Sequence, residues 1–199
     1  MDVILIVDMQ VGLLSGAPKY ELACVIARIN LLTAMVRARS GKVVWIRHRG
    51  RGDQFDPQNP GWSFLPELDR HPADIVIQKN LNDPFVGTDL QATLAKMAPD
   101  RVFIAGWATD FCVDATVRSA VSNNHNVVVV SDAHTVSDRP HLGASTVIRH
   151  YNWVWNNLIT NRTIRVEPTA QILRLWTRRC GLQTQHPRDQ VARLRLTFR

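Results

Sequence analysis

Five short apolar runs, at residues 3–7, 42–48, 74–78, 101–106 and 126–131, alternate with stretches of helical period, and this alternation is the tightest constraint on the fold. A strand covered on both faces has no polar side to show, so it reads as a continuous apolar run. Helices between such strands serve as crossovers, and the pattern predicts a parallel sheet with helices on both faces. The first helix is expected over 21–39, with Leu22, Val25, Ile26, Ile29, Leu32 and Val36 on one side and Gly41 as its stop. Others are expected from Thr88, where Leu90, Leu94 and Met97 face inward, over 111–123 and over 141–158. A short sixth strand is placed at 164–166, with a last helix from Pro168. The expected architecture is a three-layer α/β/α domain with a mainly parallel sheet of five to six strands.

One segment breaks the alternation. Residues 49–73 are rich in Pro, Gly and Asp and carry neither period. Loops of that length in compact domains are uncommon and often functional.

The formal net charge of +7 is unevenly placed. From Arg178 onward there are six arginines and one acid, so the preceding residues carry only about +2. A nucleic-acid binder wants its basic residues on the folded body, and nucleic acid is not expected as a partner. Residues 1–179 are assigned to one domain and 180–199 to a basic tail, disordered or docking in an oligomer; within it VARLRLTFR alternates like an edge strand. No stretch approaches the ~20 apolar residues of a membrane span. The opening MDVILIVDMQ lacks a basic n-region and a small-residue cleavage site, so it reads as a buried strand, and a cytoplasmic location is expected. Cys24, Cys112 and Cys180 are far apart and form no C-x-x-C pair, which argues against a disulfide framework and a cysteine-rich zinc site.

In open α/β folds chemistry gathers beyond the carboxyl ends of the strands. Asp8 ends the first strand, Lys79 ends the third, and Cys112 follows the fourth across a short turn. Alone, each has a plain explanation: a turn-capping acid, a solvated lysine, a small buried thiol. Together they supply a base, a cation and a nucleophile at one edge. Cys112 also opens a helix, where the dipole favours thiolate and free backbone N–H groups face whatever the sulfur attacks.

The segment GWATDFCVDATVRSA resembles the cysteine signature of isochorismatase-like hydrolases, the superfamily that includes nicotinamidase and N-carbamoylsarcosine amidase. VDMQ resembles that family's first strand, and QKN followed by PFVGTDLQATL its lysine-bearing block. The resemblance is collinear from about residue 2 to 134. It implies a catalytic triad in which Asp8 is the acid/base, Lys79 the charge stabiliser and Cys112 the nucleophile. The reaction it implies is cleavage of a small amide-type C–N bond through a thioester. It further implies a non-proline cis peptide at Trp107–Ala108, an oxyanion hole from Ala108 and Cys112, and assembly as a homo-oligomer, dimer or tetramer.

The family's nicotinamidases carry a D-x-H-x-H metal spacing after the second strand. Here His48 and Asp53 are followed by no second histidine until His71, so neither a metal nor another cofactor is expected. Arg47, His48, Trp62, Phe85, Phe111 and His134 flank the motifs and are candidates for the substrate pocket; each also suits plain packing. Two alternatives stay open: a catalytically silent binding protein on the same fold, and a nicotinamidase-type enzyme despite the missing metal motif.

Overall fold

The computed structural model describes residues 1–49 and 55–179. Two compact units divide the chain, Met1–Thr169 and a second from Ala170 onward. The tail at 180–199 lies outside the described residues.

Six strands form one sheet in the order β3-β2-β1-β4-β5-β6: β1 (Asp2–Val7), β2 (Lys42–His48), β3 (Ile75–Lys79), β4 (Arg101–Trp107), β5 (Val127–Thr135) and β6 (Ile164–Glu167). Every pairing is parallel. β1 and β4 are central and almost wholly buried, which is why their sequences run apolar without interruption.

The sheet is covered on both faces. Val3, Leu5 and Val7 of β1, with Val44, Ile46, Val102 and Ile104, pack under α3 (Leu90–Met97), α4 (Asp114–Ser122) and Trp155 of α5 (Ala144–Asn156). α2 (Leu22–Ala38) covers the other face against β1, β2 and β5, burying Val25, Ile29, Leu32 and Val36. A short α1 (Val11–Leu14) follows β1, and α6 (Thr169–Arg179) carries the chain into the second unit.

Three details depart from the sequence expectation. β5 continues past Ser131 to Thr135, because an irregularity between Ile104 and Gly106 re-registers it so that His134 pairs with Gly106 and Thr135 with Trp107. Cys112 does not open an α-helix: it lies in a single π-helical turn, Thr109–Val113, and α4 begins at Asp114. The long loop is partly ordered by β1's continuation. Gln10 bridges to Phe64, Val11 N–H donates to Ser63 O, and Leu65 N–H donates to Met9 O. Phe55, Phe64 and Leu68 are buried there.

Candidate active site

The site lies where β1, β3 and β4 end. Asp8 leaves β1 in the left-handed region, φ 52°, its N–H still donating to Ile46 O at 2.9 Å. That turn directs the carboxylate across the strand ends. Close approach of β4 depends on Gly106, at φ 126°, where a Cβ would lie 2.2 Å from Val7 O. No other residue fits there. The Trp107–Ala108 peptide that follows is cis.

Lys79 Nζ meets Asp8 Oδ2 at 2.6 Å, and both side chains are 0% exposed. Lys79 also donates to Leu81 O at 3.1 Å. The Cys112 thiol lies close enough to this pair to feel both of its charges, and it donates to Asn82 Oδ1 at 3.6 Å. Apart from the ion pair with Lys79, no donor among the described residues hydrogen-bonds either oxygen of Asp8.

Burial sets the protonation of this cluster. It pushes the Asp8 carboxyl up, against the opposing charge of Lys79. The Cys112 thiol is pushed up to about 12, by burial first and by the Asp8 charge second. The dipole-favoured thiolate expected from sequence is therefore not the resting form. Cys112 precedes α4, whose first turn carries Asp114, and burial beside a carboxylate outweighs the helix end. The arrangement is a neutral thiol facing a carboxylate of raised proton affinity, with an ammonium held against that carboxylate.

A cavity of about 200 Å³ opens over the sulfur. Asp8, Cys112 and Ala108 form its floor side; Leu13, Trp107 and Phe111 give apolar surface; His48, Asn82 and Arg139 give polar groups. Phe111 is 52% exposed. Arg139 is held by Asp110 in a bidentate pair at 2.7 and 2.8 Å and lies 5.1 Å from the Phe111 ring centroid.

Of the six pocket candidates, His48 and Phe111 line this cavity and the other four do not. Arg47 alternates to the other face of β2, where its guanidinium carbon sits 3.3 Å over the Trp62 ring. Phe85 packs against the core beside α3 and α4. His134 is 1% exposed, held between Thr109 Oγ1 at 2.9 Å and Asn152 Oδ1 at 3.0 Å, with burial lowering its pKa to about 4. It braces the strand carrying the cis peptide and does not face the cavity. His48 is half-buried and edge-on to Phe55, with Nδ1 shut in without a partner. Burial and then the Lys79 charge push its pKa down, so the ring is neutral.

Leu13, Asn82 and Arg139 escaped sequence reasoning. So did Gln10, whose fully buried amide donates to His48 O and Trp62 O and accepts from His48 N–H. The Gln in VDMQ was the available signal: a buried amide next to a strand end has to satisfy its own polar groups. Among the described residues no group of three or more His, Cys, Asp or Glu side chains could hold a metal ion, and Asp53 lies outside them.

Residues 2–163 match the isochorismatase domain family. The chain belongs to that family. Streptothricin hydrolase of Streptomyces noursei is 32% identical over 142 residues, covering 70% of this chain and 51% of that protein. The chain thus spans about half the length of the curated relative it matches there. An uncharacterised isochorismatase family protein of Escherichia coli O157:H7, YecD, is 29% identical over 188 residues, 85% of this chain and 93% of that protein. The crystal structure of a putative hydrolase of the family from Chromobacterium violaceum superposes with a TM-score of 0.77 at 28% identity, covering 89% of this chain and 94% of that one. No described helix is long and apolar enough to cross a membrane.

Proposed function

We propose that this isochorismatase-family chain is a cysteine-dependent hydrolase of a small amide-type C–N bond. The observation that carries the reading is a buried Asp8–Lys79 ion pair whose carboxylate lines the same small cavity as the thiol of Cys112.

Asp8 takes the thiol proton as the sulfur attacks the carbonyl carbon, so the thiolate exists only while it is forming its bond. A neutral thiol beside a carboxylate of raised proton affinity suits that concerted transfer. The proton's arrival at Asp8 leaves Lys79 free to balance the negative charge that has moved to the substrate. Backbone N–H groups of Ala108 and Cys112 hold the oxyanion. The tetrahedral adduct collapses by expelling nitrogen, to which Asp8 returns the proton. Water, deprotonated by Asp8, then cleaves the thioester to a carboxylic acid and restores the thiol. A volume of about 200 Å³ fits a small molecule and excludes a folded peptide chain. His48, a neutral imidazole in the wall, is positioned to hydrogen-bond the substrate. A homo-oligomer, dimer or tetramer, and a cytoplasmic location belong to the same reading.

The test is ammonia release from a panel of small carboxamides and N-carbamoyl compounds, with and without EDTA, for wild type and Cys112→Ala. Turnover abolished in the variant and unaffected by chelation is the expected result. Full activity of Cys112→Ala would overturn the assignment.

A further inference from the structure

The thiol hydrogen that the proposed reaction sends to Asp8 points elsewhere in the structure. Cys112 donates it to Asn82 Oδ1 at 3.6 Å, and neither oxygen of Asp8 accepts a hydrogen bond from the sulfur. Yet Asp8, Asn82 and Cys112 all line one cavity. Proton transfer from sulfur to Asp8 therefore begins with the loss of the contact to Asn82.

That contact is set by the fold. Asn82 has an exposed side chain, but its backbone is tied on both sides. The Leu81 carbonyl accepts from Lys79 Nζ at 3.1 Å. The Asp83 carboxylate accepts the Phe85 N–H at 2.8 Å and also the hydroxyl of Ser119. Ser119 belongs to α4, the helix that follows Cys112. The turn that carries Asn82 is thus fastened to the ammonium of the buried pair and to the helix behind the sulfur. A hydrogen bond accepted from the neutral form of an acid stabilises that form against the charged one. The Asn82 carbonyl accordingly favours thiol over thiolate, in the same sense as burial and the Asp8 charge.

We propose that Asn82 is a positioning residue that keeps Cys112 a thiol: its carbonyl oxygen holds the sulfur's hydrogen away from Asp8 until the sulfur leaves it to attack. This rests on the reading of Cys112 as the nucleophile. The device guards the sulfur against electrophiles that do not occupy the cavity as a substrate does.

The test pairs two replacements of similar bulk on the full chain, with Cys24 and Cys180 replaced by serine so that Cys112 is the one thiol. Asn82→Leu removes the acceptor, and Asn82→Asp keeps an acceptor and adds a charge. An S–H group absorbs at lower infrared frequency the stronger its acceptor, and exchange into heavy water assigns the band. The S–H band is expected to move up in Asn82→Leu and down in Asn82→Asp. Alkylation by iodoacetamide at one pH is expected to be about two- to threefold faster in Asn82→Leu, because one neutral hydrogen bond is lost and the more acidic thiolate is somewhat less nucleophilic. In Asn82→Asp it is expected to be slower than in the parent. A change in access to the sulfur would move both rates the same way. Asn82 is exposed, so both variants keep the fold. An unmoved band in Asn82→Leu, or alkylation shifted in one direction by both variants, overturns the proposal. Neither readout uses turnover, so this proposal and the hydrolase reading fail separately, the latter by full activity of Cys112→Ala.

Discussion

Gln10 grips His48 by both of its backbone polar groups: the Gln10 amide donates to His48 O at 3.0 Å and accepts the His48 N–H at 2.7 Å. The side chain acts as one residue of a further strand, extending the sheet where β1 turns away at Asp8. It ties the wall of the cavity to the segment that carries the candidate base.

Gln10→Ala should leave these groups without partners, at a cost of about 1–3 kcal/mol, seen as a lower midpoint in urea. It should also raise KM more than it lowers kcat, because His48 shifts while Asp8, Lys79 and Cys112 stay. A variant with wild-type stability and KM would show that the clamp positions nothing.

The Asp8–Lys79 pair predicts a non-additive cycle. Asp8→Asn strands a buried ammonium and Lys79→Met a buried carboxylate, each costing about 3–5 kcal/mol. The double variant removes both charges and should be more stable than either single one, while all three lose activity. Additive losses in denaturant melts would contradict a coupled pair.

Alkylation reports the state of the thiol. With Cys112 pushed up to about 12, its rate of reaction with iodoacetamide should keep climbing from pH 7 through pH 10. A plateau below pH 8 would reveal a thiolate already formed. Turnover should behave differently: kcat/KM falls on the acid side through a midpoint above the usual 3.8 of an aspartate, because protonated Asp8 accepts nothing.

His134 contributes a pH dependence of stability. Its pKa drops from 6.5 to about 4 on folding, so the unfolded chain binds the extra proton between those values. Stability present above pH 6.5 is therefore lost as pH falls toward 4, by about 3 kcal/mol for this group. Thermal melting between pH 7 and 4.5 should show a flatter decline for His134→Gln than for wild type. Equal slopes would place the proton elsewhere.

The sheet was legible because burial on both faces leaves an unbroken apolar record, as in VILIV and NVVVVS. Asp8, Lys79 and Cys112 were legible because each follows such a run, so the strand ends place them at one edge. What sequence does not record is which polar side chain reaches which loop. Arg139 comes to the cavity through its pair with Asp110, and Asn82 through the turn after Lys79. Neither has a local pattern. His134 was ambiguous for another reason. The apolar run of β5 stops at Val130, while the strand continues through a re-registered pairing with β4 that only the folded sheet creates.

The strand order has a consequence in time. Asp8, Lys79 and Cys112 come from β1, from β3 and from the turn after β4, and β2 separates β1 from β3. No local hairpin or helix brings any two of them together. Each encounter waits on long-range strand pairing, the slow part of assembling a parallel sheet. A nascent or partly unfolded chain therefore has its thiol far from the candidate base, and the candidate site is complete only when β3, β2, β1 and β4 stand side by side.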